Sequence, residues 1–184
     1  IIRVISELQQ LPNYYTEILD TQNMKIPTDV YKFNISYIQF YLQFNEPQIL
    51  GIDFDGQPPA ICQIAGKNAI YINTIDDFYI QQILQDNKHT HCVFGSHELK
   101  YVSNGIDLQS KVRNLFGEYY GKQDYSLMDV LNLVSSKKHI KYTKDRTIHK
   151  RTNWHKRASE KFLTHEQLQY CAMDAFITLF IGNR

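Results

Sequence analysis

The chain has 184 residues, 43% of them hydrophobic and 21% charged, with a formal net charge of +1. That length and balance suit one folded domain with a core of its own, and exclude a disordered tail or a disulfide-stapled miniprotein. The near-neutral charge excludes a globally basic nucleic-acid binder, so any such footprint has to be local.

Cys62, Cys92 and Cys171 lie far apart among apolar neighbours, with no Cys-x-x-Cys or Cys/His finger spacing. They read as buried free thiols in a reducing compartment, without a structural zinc. Ile1 to Gln10 is apolar but interrupted by Arg3 and Glu7, unlike a signal peptide or a membrane span. The expectation is an intracellular protein, nuclear or cytoplasmic, with no membrane partner. A chain that opens at Ile reads as a piece of a longer one, whose missing flanks are possible sites for protein partners.

Residues 1–35 carry mixed signals, including a short helical pattern that ends near Pro12, and are expected to form an N-terminal extension packing on a domain that spans 36–184. From Ser36 to Phe44 the apolar residues Tyr37, Ile38, Phe40, Tyr41 and Phe44 fall at helical spacing, so this helix should pack against a sheet. Strands follow at Gln48 to Phe54, Ala60 to Ala65 and Ala69 to Ile72, joined by the tight turns Gly56-Gln57-Pro58-Pro59 and Gly66-Lys67-Asn68. Three strands so joined make an antiparallel meander. A helix over Asp76 to Asp86, a strand around His91 to Phe94 and a helix beginning near Glu98 come next, and the mixed pattern continues over 106–116 and 126–134. A meander followed by alternating strands and helices implies an α/β fold, a mixed sheet flanked by helices of ribonuclease H type.

In an extended strand side chains alternate, so Asp53 and Asp55 share one face while Ile52 and Phe54 share the other. Two like charges side by side are either solvated at a strand end or neutralised by a divalent cation with hard oxygen ligands, for which Mg²⁺ or Mn²⁺ is natural. Glu98 sits where a strand gives way to a helix N-terminus, a place that favours an anion. Between Lys137 and Arg157 nine cations face one acid, Asp145, with Tyr142 and Trp154 interleaved. Such a run is either a solvated loop or a set of phosphate contacts with rings for an unpaired base, and Lys150, Arg151, Trp154, Lys156 and Arg157 are its candidate nucleic-acid contacts. Thr164 and Gln167 form a capping box that opens the last helix. In it Tyr170 and Asp174 stand one turn apart on one face, beside the small Ala172 and Ala175.

These motifs together resemble the DEDDy branch of the DEDD 3′-5′ exonuclease superfamily, which includes RNase D and the Werner-type exonuclease domain. The first motif is carried by Gly51-Ile52-Asp53-Phe54-Asp55 with Ala60-Ile61-Cys62-Gln63-Ile64-Ala65. The third is carried by Trp154, Leu163-Thr164-His165-Glu166-Gln167 and Tyr170-Cys171-Ala172-Met173-Asp174-Ala175. Glu98 is the best placement for the second, with Ser96, which has no carboxylate, as the alternative alignment. The resemblance spans about Gln48 to Ile181 and implies a ribonuclease H-like fold whose carboxylates hold two divalent metals, Mg²⁺ or Mn²⁺, about the scissile phosphate. It implies Asp53, Asp55 and Asp174 as metal ligands, Glu98 as support and Tyr170 as the residue that orients the attacking water. The product would be nucleoside 5′-monophosphates from a single-stranded 3′ end, RNA or DNA. This chain departs from the family where Asp55 replaces Glu, where Glu98 replaces Asp, and in the longer stretch between Trp154 and Leu163. Two readings follow: an active metal-dependent 3′-5′ exonuclease, or a degenerate exonuclease fold kept as a nucleic-acid-binding or protein-interaction scaffold.

Overall fold

The computed structural model describes residues 29–33, 35–120, 125–134 and 146–184. The expected helix near Pro12 and the basic residues between 137 and 145 lie outside them.

The three strands expected as a meander form at β2 (Ile49–Asp55), β3 (Ile61–Ala65) and β4 (Ala69–Thr74), all antiparallel, with Asp53 opposite Gln63 and Ile64 opposite Tyr71. Three parallel strands complete the sheet. These are β1 (Asp29–Lys32) beside β4, β5 (Thr90–Val93) beside β2, and β6 (Gly105–Asp107) beside β5, giving the order β1-β4-β3-β2-β5-β6. The sheet is mixed, as its alternation of hairpins and crossovers requires.

Helices cover both faces. One face buries Leu50, Ile52, Ile64 and Tyr71 under Phe44 of α1 (Tyr37–Phe44) and Ile80, Ile83 and Leu84 of α2 (Phe78–Leu84). The other buries Ile61, Ala65, Ile70, Ile72 and Cys92 under α3 (Leu108–Tyr120), α4 (Leu127–Val134), α5 (Arg146–Arg151), α6 (Trp154–Glu160) and α7 (His165–Gly182). All three cysteines are buried free thiols, as their apolar neighbours suggest.

The expectation for α1 needs correcting. Ser36 caps it with a full capping box, but only Phe44 is fully buried, with Phe40 packed partly beneath it. Tyr37, Ile38, Tyr41 and Leu42 remain exposed, because a helix of barely two turns can turn only one narrow stripe to the sheet. The segment after β5 is a 3₁₀ helix, Ser96–Tyr101, and not the start of a longer helix. The described end of the basic stretch is two short helices, α5 and α6, where a solvated loop was one expectation.

α7 lies directly over β2, and Gly51 is what permits it. A Cβ at that position would stand 2.2 Å from both the Ala175 carbonyl oxygen and the Leu179 amide nitrogen. Glycine therefore brings the helix backbone down onto the strand, two residues before Asp53 on the same face. Among the described residues no helix is long and apolar enough to cross a membrane.

Candidate active site

The site is built first from β2 and α7. Thr164 and Gln167 form the expected capping box, with the Gln167 amide donating to Thr164 Oγ1 at 3.3 Å and the Thr164 amide donating to Gln167 Oε1 at 3.0 Å. That fixes the helix start, and one and two turns on it places Tyr170 and Asp174, both buried, over the β2 face that carries Asp53 and Asp55. Asp53 is half-buried, and its charge reaches the thiols of Cys62 and Cys171. Asp55 is only 2% exposed, and both of its oxygens are engaged. Oδ2 accepts from Gln63 Nε2 at 3.0 Å and from the Cys171 thiol at 3.3 Å, while Oδ1 lies 3.0 Å from His149 Nδ1 on α5. Burial, then the Asp55 charge, pushes the Cys171 thiol well up, so it stays protonated and donates.

The opposing wall comes from the segment between β5 and α3. Glu98 is buried on the 3₁₀ helix and accepts the Phe94 amide at 3.2 Å. Burial is the largest influence on it, and the charges of Asp107, Asp174 and Asp55 add to it, so its carboxyl is pushed up from 4.5 to about 7 despite that hydrogen bond. Asp107, also buried, ends β6. Its Oδ1 accepts from the amides of Gly95 and Gln109, each at 3.0 Å, and its Oδ2 from the Ser110 hydroxyl. One carboxylate thus caps α3 and ties down Gly95, whose φ of +141° turns the chain from β5 toward Glu98.

Beside Glu98 opens a cleft of about 640 Å³, bordered by Phe54, the turn over 56–59, His97, Lys100, Tyr101 and His149. The Phe54 and Tyr101 rings pack at 5.2 Å, and Lys100 Nζ sits 4.9 Å from the Tyr101 centroid. The expected nucleic-acid residues distribute differently. Trp154 is 4% exposed, and its indole packs 6.1 Å from the His149 ring and 6.2 Å from that of Tyr170. It belongs to the core, so its ring is not offered to an unpaired base. Lys150, Arg151 and Lys156 are exposed, and Arg157 is half-buried. Arg151 meets Glu166 at 2.7 Å, while Arg157 and Lys156 meet Glu160 at 3.2 and 3.7 Å.

The sequence-predicted carboxylates Asp55 and Asp174 are thus both brought within electrostatic reach of Glu98, with Asp53 on the same strand face as Asp55 and Tyr170 on the same helix face as Asp174. Asp107 and His149 escaped sequence reasoning. Asp107 has a readable signal, an acid followed three residues later by Ser110 at a helix start, whereas His149 lies 94 residues from Asp55 and no spacing could pair them. Hard carboxylate oxygens around a Glu pushed toward neutrality are the donors and the excess charge that a divalent cation relieves, so the donor chemistry suits Mg²⁺ or Mn²⁺. Among the described residues, however, no three His, Cys, Asp or Glu side chains stand at the spacing of a metal-holding group.

No protein-family model matches the sequence, and no curated protein matches it. Solved structures match the fold. RNase D of Escherichia coli, an exoribonuclease involved in structured RNA processing, superposes with a TM-score of 0.59 at 17% identity, over 83% of this chain and 43% of its own. The EXO domain of Nibbler from Aedes aegypti gives 0.57 at 16%, over 84% and 85% of the two chains. The catalytic core of RRP6 from Trypanosoma brucei gives 0.55 at 13%, over 88% and 49%. The chain therefore spans less than half of RNase D. Its mixed six-stranded sheet is a ribonuclease H-like fold, similar to that of these exonucleases.

Proposed function

We propose that the domain is a metal-dependent 3′-5′ exonuclease of DEDDy type, acting on single-stranded nucleic-acid ends. The observation that carries this reading is that Asp55, Glu98 and Asp174 are all buried and that the charges of Asp174 and Asp55 reach Glu98, whose carboxyl is lifted by burial to about 7. Burying like charges together is costly unless the site uses them, and such perturbed carboxylates concentrate where chemistry occurs. Asp53 and Asp174 would bind Mg²⁺ or Mn²⁺ directly, with Glu98 in support. A bound divalent cation supplies a Lewis acid for the phosphoryl oxygens and lowers the pKa of water. Tyr170, one turn before Asp174, orients the attacking water, and the cleft beside Glu98 receives the terminal nucleotide. Lys150, Arg151, Lys156 and Arg157 supply phosphate contacts along the incoming strand.

One observation favours the scaffold reading: both oxygens of Asp55 already have protein partners. The experiment that separates the two is digestion of end-labelled single-stranded RNA and DNA with EDTA, Mg²⁺ or Mn²⁺, beside Asp174→Asn. Stepwise metal-dependent shortening from the 3′ end, reduced at least about a hundredfold in the variant, is expected. Folded wild type that shortens neither substrate with either metal leaves the scaffold.

A further inference from the structure

The Asp that stands in place of the family's Glu at position 55 is one methylene shorter, and the structure finds it drawn into the protein. Its Oδ2 is held by Gln63 and Cys171 and its Oδ1 by His149 Nδ1 at 3.0 Å, and the residue is 2% exposed. Gln63 is fully buried on β3, and Cys171 is fully buried on α7, so that side of the carboxylate is enclosed by the core. His149 is the one partner that also reaches the cleft. Its side chain is 50% exposed, borders the cleft beside Phe54 and Glu98, and is backed by the rings of Trp154 and Tyr170 at 6.1 and 6.3 Å.

We infer that Asp55 is a positioning residue for His149 and not a metal ligand, and that His149 is a substrate-contacting residue in the cleft wall that meets the sugar-phosphate backbone of a single-stranded nucleic acid. This rests on the reading of the cleft as a nucleic-acid site. The physical reason is competition: an oxygen that accepts from an imidazole is withdrawn from a cation, and the core encloses the other. A charged acceptor also fixes the imidazole in one orientation, as second-shell carboxylates do for functional histidines.

The test has two arms, each read on protein whose fold is verified by circular dichroism. Anisotropy of a labelled single-stranded oligonucleotide is measured in EDTA, where no hydrolysis intervenes. His149→Ala should weaken binding about tenfold, Asp55→Ala should do the same, and the double variant should be no weaker than either, because the two act as one unit. Should Asp55→Ala not fold, Asp55→Leu, close to Asp in shape and without an acceptor, takes its place. Mn²⁺ binding is then titrated calorimetrically: Asp55→Asn and His149→Ala should stay within about twofold of wild type, while Asp53→Asn and Asp174→Asn lose it. Oligonucleotide binding unchanged in His149→Ala, or Mn²⁺ lost in Asp55→Asn as in Asp174→Asn, overturns the assignment. A wild type that binds the oligonucleotide through His149 but cleaves nothing removes the nuclease reading and leaves this one standing.

Discussion

The two sides of the carboxylate site are held in place by different forces. On the β2 and α7 side, carboxylates stand on a strand and an eighteen-residue helix pressed backbone to backbone through Gly51. On the other side, Glu98 rides a six-residue 3₁₀ helix whose place is set by the Phe94 amide and by the hold of Asp107 on Gly95. The first wall is fixed by volume and the second by a few polar bonds around buried charge. Volume changes should therefore break the first, and charge changes should tune the second.

Gly51→Ala gives the largest effect. The new methyl would meet two backbone atoms at 2.2 Å, which no rotamer can relieve, so α7 must lift from β2. Overpacking of this severity should cost about 3 kcal/mol or more, read as a lower urea midpoint. An unchanged midpoint would show that the helix is not seated on the strand as described.

Asp107→Ala comes next. It leaves the amides of Gly95 and Gln109 and the Ser110 hydroxyl without their acceptor in a buried place, a loss of about 2–3 kcal/mol. Asp107→Asn keeps an Oδ1 acceptor and should lose less than half of that. If the two variants are equally unstable, the charge and not the hydrogen bonds holds this wall.

How much of this was legible follows the same division. The capping box at Thr164, the shared face of Asp53 and Asp55 and the stacking of Tyr170 below Asp174 are local periodicities, so the sequence displayed them. The meander was legible because tight turns leave few ways to connect three short strands. The pairing of His149 with Asp55, by contrast, depends on how α5 docks, and no local pattern records docking. The burial of Trp154 was missed for the same reason: cations surround it in sequence, yet its ring turns inward to His149 and Tyr170. The exposed flank of α1 went the other way, since helical spacing shows that apolar residues share a face but not that the face finds a partner.

Glu98 carries the pH dependence of the second wall. Its carboxyl, at about 7 when folded against 4.5 ordinarily, holds a proton that the unfolded chain gives up earlier. Its contribution is thus complete below about 4.5 and is lost as pH rises through about 7. Glu98→Gln, neutral throughout, should flatten this slope and leave the variant about 1–2 kcal/mol more stable than wild type at pH 8 without divalent metal. Denaturation at pH 5 and pH 8 checks it, and parallel pH profiles for both proteins would mean that neither burial nor the neighbouring acids hold the Glu98 carboxyl up.

The smallest effect on the fold belongs to the exposed cations. Arg151 and Glu166 pair at 2.7 Å with side chains 60% and 66% exposed, where solvent screens most of their attraction. Replacing Lys150 and Arg151 by Ala should therefore change stability by less than about 0.5 kcal/mol. Binding is where these residues should register, because each phosphate contact releases condensed counterions from the strand. Removing both should lower the slope of log affinity against log salt by about 1.4 for a single strand. A shallower slope with an unmoved melting curve places α5 along the path of the nucleic acid; an identical slope means that the two cations face solvent alone, and that the strand enters over the Lys100 and Tyr101 side of the cleft.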